Sequence, residues 1–61
     1  MAIDQLAQVL PTLGIGDTVE VRTDDPGAVA DFPAWAKTSG NELLQIKQRK
    51  GEIRIILRRR V

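Results

Sequence analysis

At 61 residues, with nine Lys and Arg against eight Asp and Glu, the chain has room for one small domain and is close to charge balance. A domain of this size buries only about 60% of the surface its unfolded chain exposes, so its core is thin and its stability marginal. It contains no Cys and no His, which excludes disulfides, thiolate metal sites, thiol nucleophiles and histidine base catalysis within these residues.

Ile3, Leu6, Ala7 and Leu10 recur at helical spacing with Asp4, Gln5 and Gln8 opposite, predicting an amphipathic helix over residues 2–10. Pro11 removes a helix donor and should bend or end it. Residues 12–16 read as a loop with Leu13 and Ile15 as apolar plugs. Residues 18–23 alternate Val19 and Val21 with Glu20 and Arg22, a half-buried strand. Asp25-Pro26 is a helix start, the carboxylate accepting from free backbone N–H groups and proline having none to lose. Asp31-Phe32-Pro33 repeats the device, so a helix over residues 26–39 should restart or bend there, burying Val29, Phe32, Trp35 and Ala36. Gly40 suits the left-handed residue that closes it. Residues 42–48 read as a strand with Leu44 and Ile46 inward. Lys50-Gly51 forms a hairpin turn with glycine at positive φ, and Ile53, Ile55 and Leu57 line one side of a last strand.

The order helix, strand, helix, strand, strand predicts a small two-layer α/β (α+β) sandwich with two helices on one face of a mixed sheet. Strands 18–23 and 42–48 can lie parallel through a right-handed crossover if they share the sheet, and the last two form an antiparallel hairpin.

Charge is unevenly spread. Residues 1–46 hold Arg22 and Lys37 against seven acids, whereas residues 47–61 hold seven Lys and Arg against Glu52. A basic surface of Lys47, Arg49, Lys50, Arg54 and Arg58 can steer a polyanion or an acidic protein. The plainer reading is that these cations keep an exposed strand edge soluble. No apolar run approaches the roughly 20 residues needed to span a bilayer, and the start lacks a basic-then-apolar leader, so a cytoplasmic location and no membrane role are expected.

Residues 24–40, Asp-Asp-Pro-Gly-Ala-Val-Ala-Asp-Phe-Pro-Ala-Trp-Ala-Lys-Thr-Ser-Gly, are the most informative stretch. With Asp25, Pro26, Asp31, Phe32, Pro33, Trp35, Gly40, Asn41 and Leu43 at these spacings, and Gly16-Asp17-Thr18-Val19 upstream, the chain resembles the TusA/SirA-like sulfur-carrier family from Ile3 to about Arg58. The resemblance implies a βαβαββ fold, here without the first strand. It also implies a Cys-Pro-x-Pro centre at the junction of that strand and the first helix. The family's spacing sets the third residue of that motif at Met1 and its second proline at Ala2, so the cysteine would fall before residue 1. A single domain over 1–61, incomplete at its N-terminus, is therefore expected, inactive as a sulfurtransferase on its own. An empty sheet position favours misfolding, a strand-exchanged dimer, or completion by further residues.

In the family the thiol is held at the first helix's N-terminus, where backbone N–H groups and the helix dipole favour a thiolate. By that resemblance Met1, Ala2, Asp24 and Asp25 are the binding residues near the active site. Each has a plainer reading: Met1 and Ala2 as an ordinary first turn, Asp25 as a helix cap, and Asp24 as a turn residue. An acidic pair alone offers too few ligands for a hard metal, and no metal or cofactor is expected. Trp35 reads as core. The chain has only one other aromatic, Phe32, which disfavours RNA recognition by stacking.

The resemblance implies a protein that receives persulfide sulfur from a cysteine desulfurase or other donor and passes it to an acceptor, as in tRNA thiolation or related sulfur metabolism. The alternatives are a non-catalytic interaction module of the same fold and a basic-edge RNA-binding domain that contacts tRNA through phosphates.

Overall fold

The computed structural model describes residues 2–61. Helix α1 spans Ala2–Val9 and passes into a 3-10 turn over Leu10–Thr12. Proline ends the α-helix as expected, one residue earlier than predicted, because Pro11 fits the first turn of the tighter helix. Strand β1 is Thr18–Thr23, helix α2 Ala28–Ser39, strand β2 Glu42–Arg49 and strand β3 Glu52–Arg58.

The architecture is the α+β arrangement read from the sequence, with one correction to the sheet. The strand order is β1-β3-β2, and both pairings are antiparallel. β1 and β2 do run in the same direction, but β3 lies between them, so the described residues form no parallel pair. The apolar pattern explains why β3 is central. It buries Ile53, Ile55 and Leu57 toward the helices and half-buries Ile56 on the opposite face, whereas neither flanking strand has a fully buried residue.

The core consists of Leu6 and Leu10 from the first helical segment, Ala28, Phe32 and Ala36 from α2, and the three β3 residues. Along α2 the buried stripe is i, i+4, i+8, with half-buried Trp35 packed beside it. That phase leaves Val29 39% exposed, contrary to its predicted burial. Ala7 is likewise exposed on α1, and Ile15, predicted as a plug, is 64% exposed.

β2 departs from expectation for a different reason. Its register against β3 shifts between Leu43 and Gln45, so Leu44 is the extra residue of a bulge. Side chains alternate along a regular strand, which would put Leu44 and Ile46 on one face. The bulge breaks that parity: Leu43 and Ile46 pack on the core, and Leu44 is left 40% exposed.

α2 is one continuous helix through Pro33, not two helices restarted at Asp31. Pro33 deprives the Val29 carbonyl of its usual donor. Gly40 closes the helix at φ 81°, its N–H bonding the Ala36 carbonyl. The Asn41 N–H reaches the same carbonyl at 3.1 Å, completing a Schellman-type end. At the β2–β3 hairpin both Lys50 (φ 52°) and Gly51 (φ 78°) are left-handed, as a two-residue turn that follows the strand twist requires.

Candidate functional site

Two regions carry the predicted site residues. The first is acidic. Met1 and the side chain of Ala2 lie outside the described residues. Ala2 is the first residue of α1, and Asp4 supplies an acid in its first turn, which suits the helix dipole. Asp24 and Asp25 are exposed in the connection from β1 to α2. The Asp25 carboxylate accepts the Gly27 N–H at 2.9 Å, its carbonyl accepts the Ala28 N–H at 3.0 Å, and its own N–H donates to Thr23 Oγ1 at 3.1 Å. Asp25 therefore closes a local turn ahead of α2 and does not cap it as predicted: the helix begins at Ala28, and its N-cap, Gly27, has no side-chain cap bond. Among the described residues no hydrogen bond or ion pair joins the Asp24–Asp25 turn to α1, and no three His, Cys, Asp or Glu side chains converge on one point.

The second region is the sheet face away from the helices, where the register builds rows across three strands. Arg22 of β1 lies opposite Arg54 of β3, which lies opposite Lys47 of β2. Next along come Glu20, Ile56 and Gln45, then Thr18, Arg58 and Glu42. Three cations directly abreast repel one another, a cost usually avoided in sheets. Glu20 and Glu52 relieve part of it: each binds the arginine two residues ahead on its own strand, Glu20 to Arg22 and Glu52 to Arg54, both at 2.8 Å. Lys47, Arg49, Lys50, Glu52 and Arg54 line a concave surface of about 380 Å³ beside the hairpin, and among the described residues Lys47, Arg49 and Lys50 form no ion pair.

The structure thus joins Lys47, Arg49, Lys50 and Arg54, and separates Arg58 from them. Arg58 is half-buried, 3.7 Å from Glu42, with a buried Nε that has no partner. Arg22 belongs to the basic row and was missed in the sequence. The signal is the strand register, which places Arg22 beside Arg54 although 31 positions separate them in the chain.

The hydrogen bond from Arg54 holds the Glu52 carboxyl below its ordinary value against an opposing desolvation, and the charges of Arg54 and Arg22 add to the lowering. A lowered folded value means that this pairing stabilises the fold above the ordinary glutamate range, about 4.3, and that the contribution is lost as pH falls through the folded value. NMR titration should find Glu52 titrating below the ordinary glutamate value, and Arg54→Ala should return it toward that value.

The described residues form a two-layer α+β domain in which an Asp-Pro turn leads into the second helix. The sequence profile of the sulfurtransferase TusA family matches residues 3–59, and the chain belongs to that family. It is 35% identical over 52 residues to the sulfur carrier protein TusA of Allochromatium vinosum, covering 85% of this chain and 68% of that one. It is 29% identical over 55 residues to an Archaeoglobus fulgidus protein named as a sulfur carrier, covering 90% and 75% respectively. No solved structure matches it significantly.

Proposed function

We propose that this chain supplies the docking scaffold of a sulfur carrier, engaging a sulfur donor such as a cysteine desulfurase, with the sulfur itself held on a thiol outside these 61 residues. The observation that supports it is the pairing of a family match over 3–59 with a complete absence of Cys. A persulfide needs a thiolate to form, so the carrying atom cannot belong to these residues. What they do supply is the N-terminus of α1, a setting that favours a thiolate, the acidic turn at Asp25, and a folded body to dock. Relay toward tRNA thiolation is one destination for such sulfur, and a cytoplasmic location goes with it.

Calorimetric titration of the chain into a cysteine desulfurase tests the reading. Saturable binding that a Cys-bearing TusA relative displaces is expected. Absence of binding, or binding that the relative leaves untouched, would reject it.

The Arg22–Arg54–Lys47 row favours a second reading, contact with RNA phosphates on the open face. No aromatic side chain lies on that face, so contact there would be electrostatic and tolerant of sequence. Binding to tRNA that weakens steeply as salt rises, and is lost in Lys47→Glu, supports it. Salt-independent or undetectable binding removes it.

A further inference from the structure

The β2–β3 hairpin contains features that cost stability and that its own packing does not explain. One is at its tip. Lys50 (φ 52°) and Gly51 (φ 78°) form a two-residue turn with both residues left-handed, a geometry in which asparagine, aspartate or glycine is preferred at the first position. Lysine has a Cβ that crowds its carbonyl there, and no short polar group to bond the local backbone in compensation. Lys50 is exposed and makes no hydrogen bond or ion pair among the described residues, so no contact within the fold offsets the strain. The other is the row of Arg22, Arg54 and Lys47 abreast on the open face, where like charges repel. Local rules broken without benefit to the fold point to function.

Both features meet in one place. Lys47, Arg49, Lys50 and Arg54 surround the concave surface of about 380 Å³, and Glu52 is the one acid in its lining. Glu52 takes the Nε edge of Arg54 at 2.8 Å, and the terminal amines of Arg54 bond no other described residue. Four cations therefore face one carboxylate around a space the size of a small-ligand site. Every lining residue lies between positions 47 and 54, within a single hairpin.

We propose that this concavity binds a compact phosphate group, a phosphate monoester or an oligophosphate, with Lys50 as its anchor. A carboxylate or a backbone phosphodiester brings a single negative charge. A terminal phosphate brings about −1.5 to −2 and three strong acceptor oxygens, which suits cations gathered about one point rather than strung along a track. Arg49 and Arg54 offer planar forks to those oxygens, and Lys47 and Lys50 act as point charges. The site goes beyond contact with the RNA backbone, which would use the Arg22–Arg54–Lys47 row and would not need Lys50 at the tip. Free oligophosphate and the 5′-phosphate end of an RNA carry the same chemistry.

Calorimetric titration of the chain with inorganic tripolyphosphate should show saturable binding at one site. Lys50→Asn should weaken it about tenfold, the loss of one charge-assisted contact. The same change should raise the urea midpoint, because asparagine suits the turn. Lys37→Asn, which removes an exposed lysine from α2 in the other layer, should do neither. Competition by a 5′-phosphorylated oligoribonucleotide, but not by its dephosphorylated form, would identify an RNA end as a source, and competition by neither would leave free oligophosphate. Equal competition by both forms would mean backbone contact and overturn the proposal. So would polyglutamate binding as tightly as tripolyphosphate, no saturable binding, or a Lys50→Asn chain that binds tripolyphosphate unchanged.

Discussion

Phe32→Ala is expected to leave the chain largely unfolded at room temperature. Phe32 is 1% exposed, one of the three largest fully buried side chains, and packs α2 against the sheet. Truncating a buried phenylalanine costs about 3–5 kcal/mol. A 61-residue domain at about 0.05–0.15 kcal/mol per residue has only about 3–9 kcal/mol in total. The loss therefore consumes most or all of the stability. Val29→Ala, three residues earlier on the same helix but 39% exposed, should shift stability by no more than about 0.5 kcal/mol. Urea unfolding followed by the fluorescence of the single Trp35 reads both variants. A Phe32→Ala protein as stable as the parent would mean that α2 does not pack as described.

Arg59→Ala is the second large expected loss, about 1–2 kcal/mol, because its three side-chain hydrogen bonds are charge-assisted and the one to Leu13 is part-buried. The Arg59 guanidinium donates to the Leu13 and Pro11 carbonyls, and its Nε donates to the Val61 carbonyl at 2.9 Å. Its backbone accepts from the Gly16 N–H at 2.8 Å and donates to the Asp17 carbonyl at 2.9 Å. One residue thus ties the chain's end to the loop that leads into β1. Arg60, its neighbour, meets Glu42 at 2.9 Å on the exposed surface, where such a pair is worth little. Arg60→Ala should therefore cost no more than about 0.5 kcal/mol. Urea midpoints compare the two, and amide exchange over residues 13–17 should speed up only in Arg59→Ala.

These two variants also mark where sequence reading works and where it stops. The elements were legible because each depends on local chemistry. Pro11 removes a backbone donor and ends the α-helical hydrogen bonding, Gly40 can take a left-handed φ, and alternation in residues 18–23 and 53–57 has one simple meaning. The family was legible for the same reason, as its fingerprint is a run of caps and prolines. The inward face of β2 was not, because a bulge at Leu44 inverts alternation without leaving any mark on composition. The phase of α2 was misjudged at Val29 because Ala28, a small residue with little apolar weight, starts the buried stripe.

Long-range pairing explains the remaining differences. Seven cations after residue 46 look alike in sequence, yet Arg59 staples a loop, Arg58 and Arg60 share Glu42, and Lys47 joins Arg54 and Arg22 in one row. Asp17 is similar: its carboxylate takes the Gly14 N–H at 2.8 Å and shapes the entry to β1. Only the sheet register assigns these roles, and register is set by residues far apart in the chain.

The central claim, a carrier scaffold that docks without a thiol, is tested most directly in a running sulfur transfer. A cysteine desulfurase, cysteine and a Cys-bearing TusA relative would be mixed with increasing amounts of this chain, and persulfide on the relative followed by intact-protein mass spectrometry. The account predicts a rate that falls to a plateau, recovers when more relative is added, and leaves no sulfur on the chain. A transfer rate indifferent to the chain, or sulfur appearing on it, would contradict the account.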